Sequence, residues 1–518
     1  MRNSLNRPII FLGTLFVLTF AAGYLMAGML VFDESTWLYS AFWLFCFVLL
    51  IFNVNYMLVN SFFRLWVKNE PCPELDLKDF PKTAILYPVK NETFGLYERL
   101  RYSLSSNEKL SFDVWVLSDS SDENSLEYEK EVVNELRKDF AGRAIFYRHR
   151  PYAFERKQGN IMSWAHAHPD YDYFFVCDAD TMIAPGALGR LLQKAEHPQH
   201  QNVAIFQSRL EIVHAKTYFA RFQAISSRLA QKLYASVNQA VFGRQISFGH
   251  GCLIRMQPFL NLRLPKGIWS HDVWDTALLD QMGYKTVFCP DVICFDEVPA
   301  DYLELLARNR RWAKGTLQSW SLLFLPGLSL ATRFYVAYGI YMYLIQPVFF
   351  FWIVASFWAA SASSGALLRF QRYSFLGGTL IDVELAGMAI FSLLIVFFHK
   401  MILCRSFRDF SEIIQEILFS TFICLNNVFY QTLDIVLLPF QKSSWVPAKK
   451  NPVSAIQWAI ILKILWPSTV LGLAGLYFGF NESPQWAFAA LPFLVSFSFI
   501  IPLTYATARI NLPRLVSL

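Results

Sequence analysis

The chain has 518 residues, of which 54% are hydrophobic and only 17% charged, against about 45–50% and about 25% in ordinary soluble domains. That balance excludes a disordered, collagen-like or purely soluble chain. Net charge is +6, and no basic run is interleaved with a stacking module, so the excess reads as a positive-inside signature and not as a nucleic-acid footprint. At about 150 residues per domain the length suits about three units, or two if one is a large enzyme domain. The cysteines show no paired CxxC spacing; Cys289 and Cys294 lack a second ligand pair, so zinc is not expected and a reduced, cytosolic compartment is.

Ile9 to Val31 and Trp37 to Phe63 carry no charge over 23 and 27 residues, each more than the about 20 needed to cross a hydrocarbon core. The first is too long for the about 7–15-residue apolar core of a signal peptide. Asp33 and Glu34 lie between the two, whereas Arg2, Arg7, Arg64 and Lys68 flank their other ends. This predicts a cytosolic amino terminus and a cytosolic chain after Arg64, and residues 1–68 form a first unit of two membrane helices.

Residues 69–331 are polar and mixed. Apolar runs rich in β-branched and aromatic residues begin at Thr83, Phe112, Ala144, Tyr173 and Val203, and helical patterns separate them at Ser125–Phe140, Gly159–His168 and Ala187–Ala195. The alternation predicts a parallel or mostly parallel α/β sheet, whose ligands sit beyond the carboxyl ends of the strands.

After Arg333 the chain returns to membrane-like composition. Residues 332–400 read as an interfacial stretch, broken at Pro347, and two spans, the second at Thr379–Phe398 with Asp382 and Glu384 at one end and Lys400, Arg405 and Arg408 at the other. Phe410–Phe440 is apolar but carries Glu412, Glu416 and Asp434 and is followed by lysines, so residues 401–452 are expected to lie in the cytosolic interface. Two last spans, about Trp458–Phe480 and Trp486–Ala508 within 453–518, give six in all, with both ends cytosolic.

Cys177 ends a strand and is followed by Asp178-Ala179-Asp180. Two carboxylates there can hold a hard divalent cation against a diphosphate; alternatively they form a solvated acidic turn. Asp119 follows another strand and suits the base or ribose of a nucleotide. Ser270-His271-Asp272 either offers a carboxylate that deprotonates an acceptor hydroxyl or is a helix start with Ser270 as cap. Arg308-Asn309-Arg310-Arg311-Trp312 suits phosphate charge plus stacking, or a basic patch against lipid headgroups. There is no Walker motif, GxGxxG, GxSxG or HExxH.

The order of these elements resembles the D, DxD, TED, QxxRW series of processive family 2 glycosyltransferases, the group that includes bacterial cellulose synthase. PVKNE (88–92), LSDSSDE (117–123), RKQGN (156–160), DADT (178–181), GHGCLIR (249–255), SHD (270–272), DEVP (296–299) and RNRRW (308–312) are most similar to the glucans biosynthesis glucosyltransferase H family, and the resemblance extends over nearly the whole chain. It implies a cytosolic α/β GT-A (nucleotide-diphospho-sugar transferase) domain inserted in an α-helical multi-span membrane domain of the bacterial inner membrane. The implied activity is inverting transfer of glucose from UDP-glucose, with Mg²⁺ or Mn²⁺, onto a growing glucan, most simply the β-1,2 backbone of periplasmic glucans, which then crosses the membrane.

By the same resemblance, Glu92, Asp119, Lys157 and Asp178 contact the donor nucleotide and Asp178 and Asp180 hold the metal. Asp272 is the base, Arg308 or Arg311 stabilises the leaving diphosphate, and Trp312 stacks on the terminal sugar. Arg308 replaces Gln of QxxRW, and His271 replaces Glu of TED. Arg2 to Arg7 is all that precedes the first span, which puts regulation through an amino-terminal extension in doubt. Lys442–Lys450 (KSSWVPAKK) is either a lid whose Trp445 settles on the nucleotide or a basic connector. Implied partners are donor, glucan, lipid and a periplasmic glucan-processing protein, with no nucleic acid. The rival readings are another polysaccharide synthase, a transferase to a lipid acceptor, and a nucleotide-sensing transporter or receptor.

Overall fold

The computed structural model describes residues 6–30, 37–67, 71–361, 374–375, 378–379, 394–440, 456–482 and 490–509. Two long helices, α1 (Arg7–Met29) and α2 (Trp37–Trp66), lead into an α/β body. In chain order this contains β1 (Thr83–Val89), α3 (Leu96–Ser106), β2 (Asp113–Ser118), α4 (Glu123–Asp139), β3 (Ile145–His149), α5 (Arg156–Ala167), β4 (Tyr173–Val176), β5 (Met182–Ile183), α6 (Ala187–Glu196) and β6 (Val203–Ile212). There follow α7 (Tyr218–Ala230), a π-helical turn (Gln231–Ala235), α8 (Ser236–Phe242), β7 (Cys252–Arg255), α9 (Met256–Leu260), α10 (His271–Gln281), β8 (Lys285–Asp296) and α11 (Tyr302–Gln318). The carboxyl-terminal part holds α12 (Leu330–Ser361), α13 (Phe407–Val436), α14 (Trp458–Glu482) and α15 (Leu491–Arg509).

The sheet runs β3-β2-β1-β4-β7-β6-β8-β5. The β3-β2-β1-β4 half is parallel, as the alternating pattern predicts, and β6 pairs parallel with β8. The other half is mixed, because β7 runs antiparallel to both β4 and β6, and β5 antiparallel to β8. β5, β7 and β8 are the strands that the apolar runs did not reveal; β5 is only two residues long. CLIR is only four residues long, and β8 contains Pro290 and Asp291. The register of β8 against β6 slips between Cys289 and Ile293, so the proline sits in a bulge, where its missing N–H breaks no ladder bond.

Both faces of the sheet are covered, which is why its strands read as continuous apolar runs. Ile85, Tyr87 and Val89 of β1 point into one core with Leu100 of α3 and Leu136 of α4. Ala84 and Leu86 point into the other, with Trp164 of α5 and Leu279 of α10, as the two-residue strand period requires.

Among the described residues six helices are long and apolar enough to cross a membrane: Arg7–Met29, Trp37–Trp66, Leu330–Ser356, Phe407–Val436, Trp458–Asn481 and Leu491–Arg509. The expected break at Pro347 does not occur, since α12 runs through it without interruption. Lost ladder bonds of this kind are re-satisfied locally in membrane helices. Most of the segment expected to span at Thr379–Phe398 lies outside the described residues. α13, expected in the interface, is a single 30-residue helix that meets the length and composition of a crossing segment. Its polar groups nevertheless point back to the α/β body: Glu412 takes Arg228 of α7, Asn427 accepts from the Tyr302 hydroxyl (3.1 Å), and Asp434 accepts from Arg310 Nε of α11 (2.6 Å).

The loop after β2 is anchored by one buried acid. Glu129 of α4 accepts from Ser118 Oγ (2.6 Å), Ser120 Oγ (2.5 Å) and the Tyr147 hydroxyl (3.1 Å) and is fully buried. Glu129→Leu leaves three hydroxyls without their acceptor, at a cost of roughly 3 kcal/mol. Thermal unfolding in detergent should show a midpoint lowered by several degrees; an unchanged midpoint would mean that these hydroxyls find other acceptors.

Candidate active site

The parallel strands bring the chain segments after β1, β2, β4 and β8 to one edge of the sheet, and the Gly249-His250-Gly251 turn enters β7 from the same edge. The Gly251 N–H donates to Val176 O at 2.7 Å, so the turn lies directly against the start of Asp178-Ala179-Asp180. Thr181 Oγ1 accepts from the Asp178 N–H at 3.0 Å and contacts His250 Nδ1 at 3.1 Å, fixing the acidic turn to the glycine turn.

Lys157, in the first turn of α5, donates to Asp178 Oδ1 (2.5 Å) and to Gly249 O (2.8 Å). His250 Nε2 stands 3.7 Å from Asp296 Oδ2 and 4.0 Å from Asp178 Oδ2. Burial, with Asp180 and Asp178 adding to it against the opposing pull of His250, pushes the Asp296 carboxyl up to about 7. Among the described residues no three His, Cys, Asp or Glu side chains converge closely enough to hold a metal unaided. The donor set fits a divalent cation shared with a diphosphate, since hard cations of this kind combine one or two carboxylates with phosphate oxygens, and the crowded negative charge would be relieved by one.

Gly249 links this half of the site to the next. At φ +80° it occupies the left-handed region, and a Cβ there would stand 3.3 Å from Asp272 Cβ, so the absence of a side chain lets Asp272 approach the turn that holds Lys157. Asp272 lies in the first turn of α10. Ser270 occupies the cap position, yet its side chain makes no capping bond; it donates to Asp272 Oδ1 at 2.6 Å. His271 Nδ1 contacts Asp275 Oδ2 at 3.0 Å, and Gln158 Nε2 donates to Asp275 Oδ1 at 2.9 Å. His271 therefore braces the helix start from behind.

α11 covers the site. Arg308, Arg311, Trp312 and Gly315 fall at i, i+3, i+4 and i+7, which is one helix face. The Arg308 guanidinium lies 4.5 Å from the Trp312 ring, and its Nη2 donates to Gln223 Oε1 at 3.2 Å. Burial pulls it down to about 10 while the charge of Asp296 opposes this, so it remains a cation at neutral pH. Burial also lowers Arg311, which faces the charges of Asp178 and Asp180. Trp312 is 49% exposed. A Cβ at Gly315 would come within 2.6 Å of Ser270 Cβ, so this glycine permits α11 to pack on the start of α10. Arg310 points away, toward Asp434.

Asp119, expected at the base or ribose of a nucleotide, is tied into the protein in this structure. It is 6% exposed, and both oxygens have protein partners: Arg150 Nε to Oδ1 and Nη2 to Oδ2, each 2.7 Å, and Asn160 Nδ2 to Oδ1 at 2.9 Å. Arg150 also donates to Phe154 O and Arg156 O, both at 3.2 Å. Through it Asp119 shapes the loop that ends at Lys157, in which Glu155 and Arg156 both adopt φ +51°. Glu92 is half-buried in the loop after β1, and Glu297, in DEVP, pairs with Arg99 (2.8 Å). Trp445 lies outside the described residues.

Four contributors are given no role from sequence. Arg150 is flanked by nothing suggestive; the only hint is that a carboxylate ending a buried strand needs a cation. Asp296 stands out only as a member of a longer motif, and His250, though in suggestive company within GHGCLIR, has no role that the sequence assigns. Tyr343 of α12, whose hydroxyl lies within electrostatic reach of Arg308 and Asp272, sits in an apolar run that gives no sign of it.

Residues 84–259 match the model for glycosyl transferase family 2, and residues 173–407 that for glycosyl transferase family group 2. Among curated proteins, glucans biosynthesis glucosyltransferase H of Bradyrhizobium diazoefficiens is 30% identical over 375 residues, which is 67% of this chain and 50% of that protein. The protein of the same name from Vibrio cholerae is 28% identical over 64% of this chain and 46% of its own length. That from Rhodopseudomonas palustris is 32% identical over 53% of this chain and 40% of its own. The chain thus spans about half the length of the curated relatives it matches, or less. A mannosyltransferase from Pyrobaculum calidifontis, solved with GDP-Man and Mn²⁺, aligns at 14% identity and a TM-score of 0.49 over 78% of this chain and all of its own. The chain carries a glycosyl transferase family 2 domain beside membrane-type helices and is related to proteins named glucans biosynthesis glucosyltransferase H.

Arg150→Met would strand the Asp119 carboxylate in a buried position, at a cost of about 3–5 kcal/mol, and release the loop before Lys157. Full-length protein should lose thermal stability and nucleotide affinity together, as read by calorimetry with UDP. Wild-type affinity in the variant would show that the Asp119–Arg150 pair does not shape this loop.

Proposed function

We propose, with the family 2 glycosyltransferase domain as premise, that this protein is a membrane-embedded inverting glucosyltransferase. It takes glucose from UDP-glucose in the presence of Mg²⁺ or Mn²⁺ and extends a β-glucan, most simply β-1,2-linked. The catalytic body faces the cytosol at the bacterial inner membrane, and the product passes through the protein's own helices. The observation that supports this reading is the juxtaposition at Gly249: its carbonyl receives Lys157 from the Asp178 side, and its open Cα face receives Asp272 from the other.

The reaction follows from that arrangement. The acceptor hydroxyl loses its proton to Asp272, whose Oδ1 is steadied by Ser270 and whose Oδ2 is left for the substrate. The acceptor oxygen forms its bond to the anomeric carbon from the face opposite the diphosphate, and the bond from that carbon to the diphosphate oxygen breaks with its electron pair. Charge accumulates on the diphosphate, where Lys157 and Arg311 meet it in a site placed before the reaction begins. Asp178 and Asp180 are the residues that would hold a divalent cation, which when bound would neutralise part of that charge. Trp312, half exposed beside Arg308, offers a ring for the terminal sugar of the acceptor. The name of the curated relatives supports glucose and glucan.

The course of α13 supports its lying along the cytosolic interface. Glu412 and Asp434 are 22 residues apart, about 33 Å of helix, yet both pair with helices that flank the catalytic body. A cysteine at Leu437, in a background lacking Cys404 and Cys424, should then resist an impermeant thiol reagent applied from outside intact cells. External labelling would mean that α13 crosses the bilayer.

Asp272→Asn should reduce polymer formation from UDP-[¹⁴C]glucose by about 10²–10⁴-fold, the usual worth of a general base, while UDP affinity stays within a few fold. Asp180→Asn should instead weaken metal-dependent UDP binding. Linkage analysis of the wild-type polymer tests the β-1,2 assignment. Wild-type protein that binds UDP-glucose and never transfers glucose would overturn the enzyme reading in favour of nucleotide sensing.

A further inference from the structure

Away from the active site, the end of α2, the π-helical turn 231–235, the strand β6 and the start of α13 bring together Arg64, Arg209, Arg228, Lys232, Arg405 and Arg408. Lys232 lies within electrostatic reach of Arg209, Arg228 and Arg405, and Arg64 within reach of Arg405. The local carboxylates are committed to some of these cations and to other groups. Glu211 stands 3.4 Å from Arg209. Glu412 takes both Arg228 and, at 3.2 Å, Arg408. Glu416 takes Lys400 and accepts from Ser226 Oγ at 2.8 Å and Ser420 Oγ at 2.6 Å. Asp409 closes the amino-terminal cap of α13, accepting from Ser406 Oγ (2.9 Å) and the Arg405 N–H (3.1 Å), and offsets only part of the positive charge on Lys232.

Arg64, Lys232 and Arg405 are left without a side-chain hydrogen bond or ion pair among the described residues. Burial and the three neighbouring guanidinium groups pull the Lys232 ammonium below its usual range, so the protein holds a half-buried cation in a place that an anion would relieve. The backbone here is π-helical, an irregularity frequent at functional sites.

The surroundings specify the kind of anion. Arg64 closes the last turn of a helix of membrane-crossing length. Exposed apolar side chains flank the cations: Phe62, Leu65 and Trp66 on α2, and Phe407 and Phe410 on α13. A soluble phosphate would use the cations and leave these side chains in water. We propose that this junction binds an anionic phospholipid, with the headgroup phosphate between Lys232, Arg405 and Arg64 and the acyl chains along the exposed faces of α2 and α13. Cationic pockets between membrane helices are suited to such headgroups.

The experiment is native mass spectrometry of the full chain in neutral detergent, titrated with phosphatidylglycerol or phosphatidylcholine. Wild type should bind phosphatidylglycerol at least about tenfold more tightly than phosphatidylcholine, and the Lys232→Gln/Arg405→Gln variant should lose that preference, in line with two cations at a membrane surface. The Lys232→Arg/Arg405→Lys variant should keep it. Retained UDP binding certifies folding, and if the glutamine variant fails that check, Arg64→Gln and the wild-type selectivity decide the matter. Equal affinity for the two lipids in wild type, an undiminished preference in a folded glutamine variant, or displacement of phosphatidylglycerol by millimolar glycerol 3-phosphate would each overturn the proposal.

Discussion

Negative charge gathered at one strand edge, beside helices that exclude water, is the condition to which the rest of the site answers. Asp178 with Asp180, Asp272 and Asp296 come from three separate stretches of chain. Lys157 answers Asp178 directly, His250 stands between Asp178 and Asp296, and Arg308 and Arg311 supply charge from above. The compensation is incomplete, since Asp296 still holds its proton more firmly than an ordinary carboxylic acid. In the proposed reaction a divalent cation bound with the diphosphate would complete that compensation.

α11 connects this chemistry to the membrane-type helices. One face presents Arg308, Arg311 and Trp312 to the site, and Gly315 allows it to press on the start of α10. The opposite side carries Arg310 to Asp434 of α13, and Tyr302 joins a core that includes Phe419, Ile461 and Ile501. Because one helix serves both contacts, a shift of α13 cannot leave the arginines unmoved. Packed interfaces transmit such displacements because they have little room to deform.

The sequence was most legible where local pattern and local structure coincide. The runs at Thr83, Phe112, Ala144, Tyr173 and Val203 are strands, and Ser125–Phe140 is a helix within two residues at its start and one at its end. The parallel half of the sheet follows from their alternation with helices. The mixed half does not, because a four-residue strand and a strand interrupted by proline have too little periodicity to be read.

The same division runs through the site. Sequence by itself determined the membrane character, the α/β class and the order of acidic and basic motifs, since these depend on composition and on residues within a few positions of one another. Only the tertiary structure decided that Asp119 is occupied by Arg150, that Arg310 leaves the arginine cluster for α13, and that Ser270 serves Asp272 and not the helix cap. Each of these is a choice among partners 2 to 124 residues apart along the chain, and strand order, helix phase and the space left by Gly249 and Gly315 make that choice.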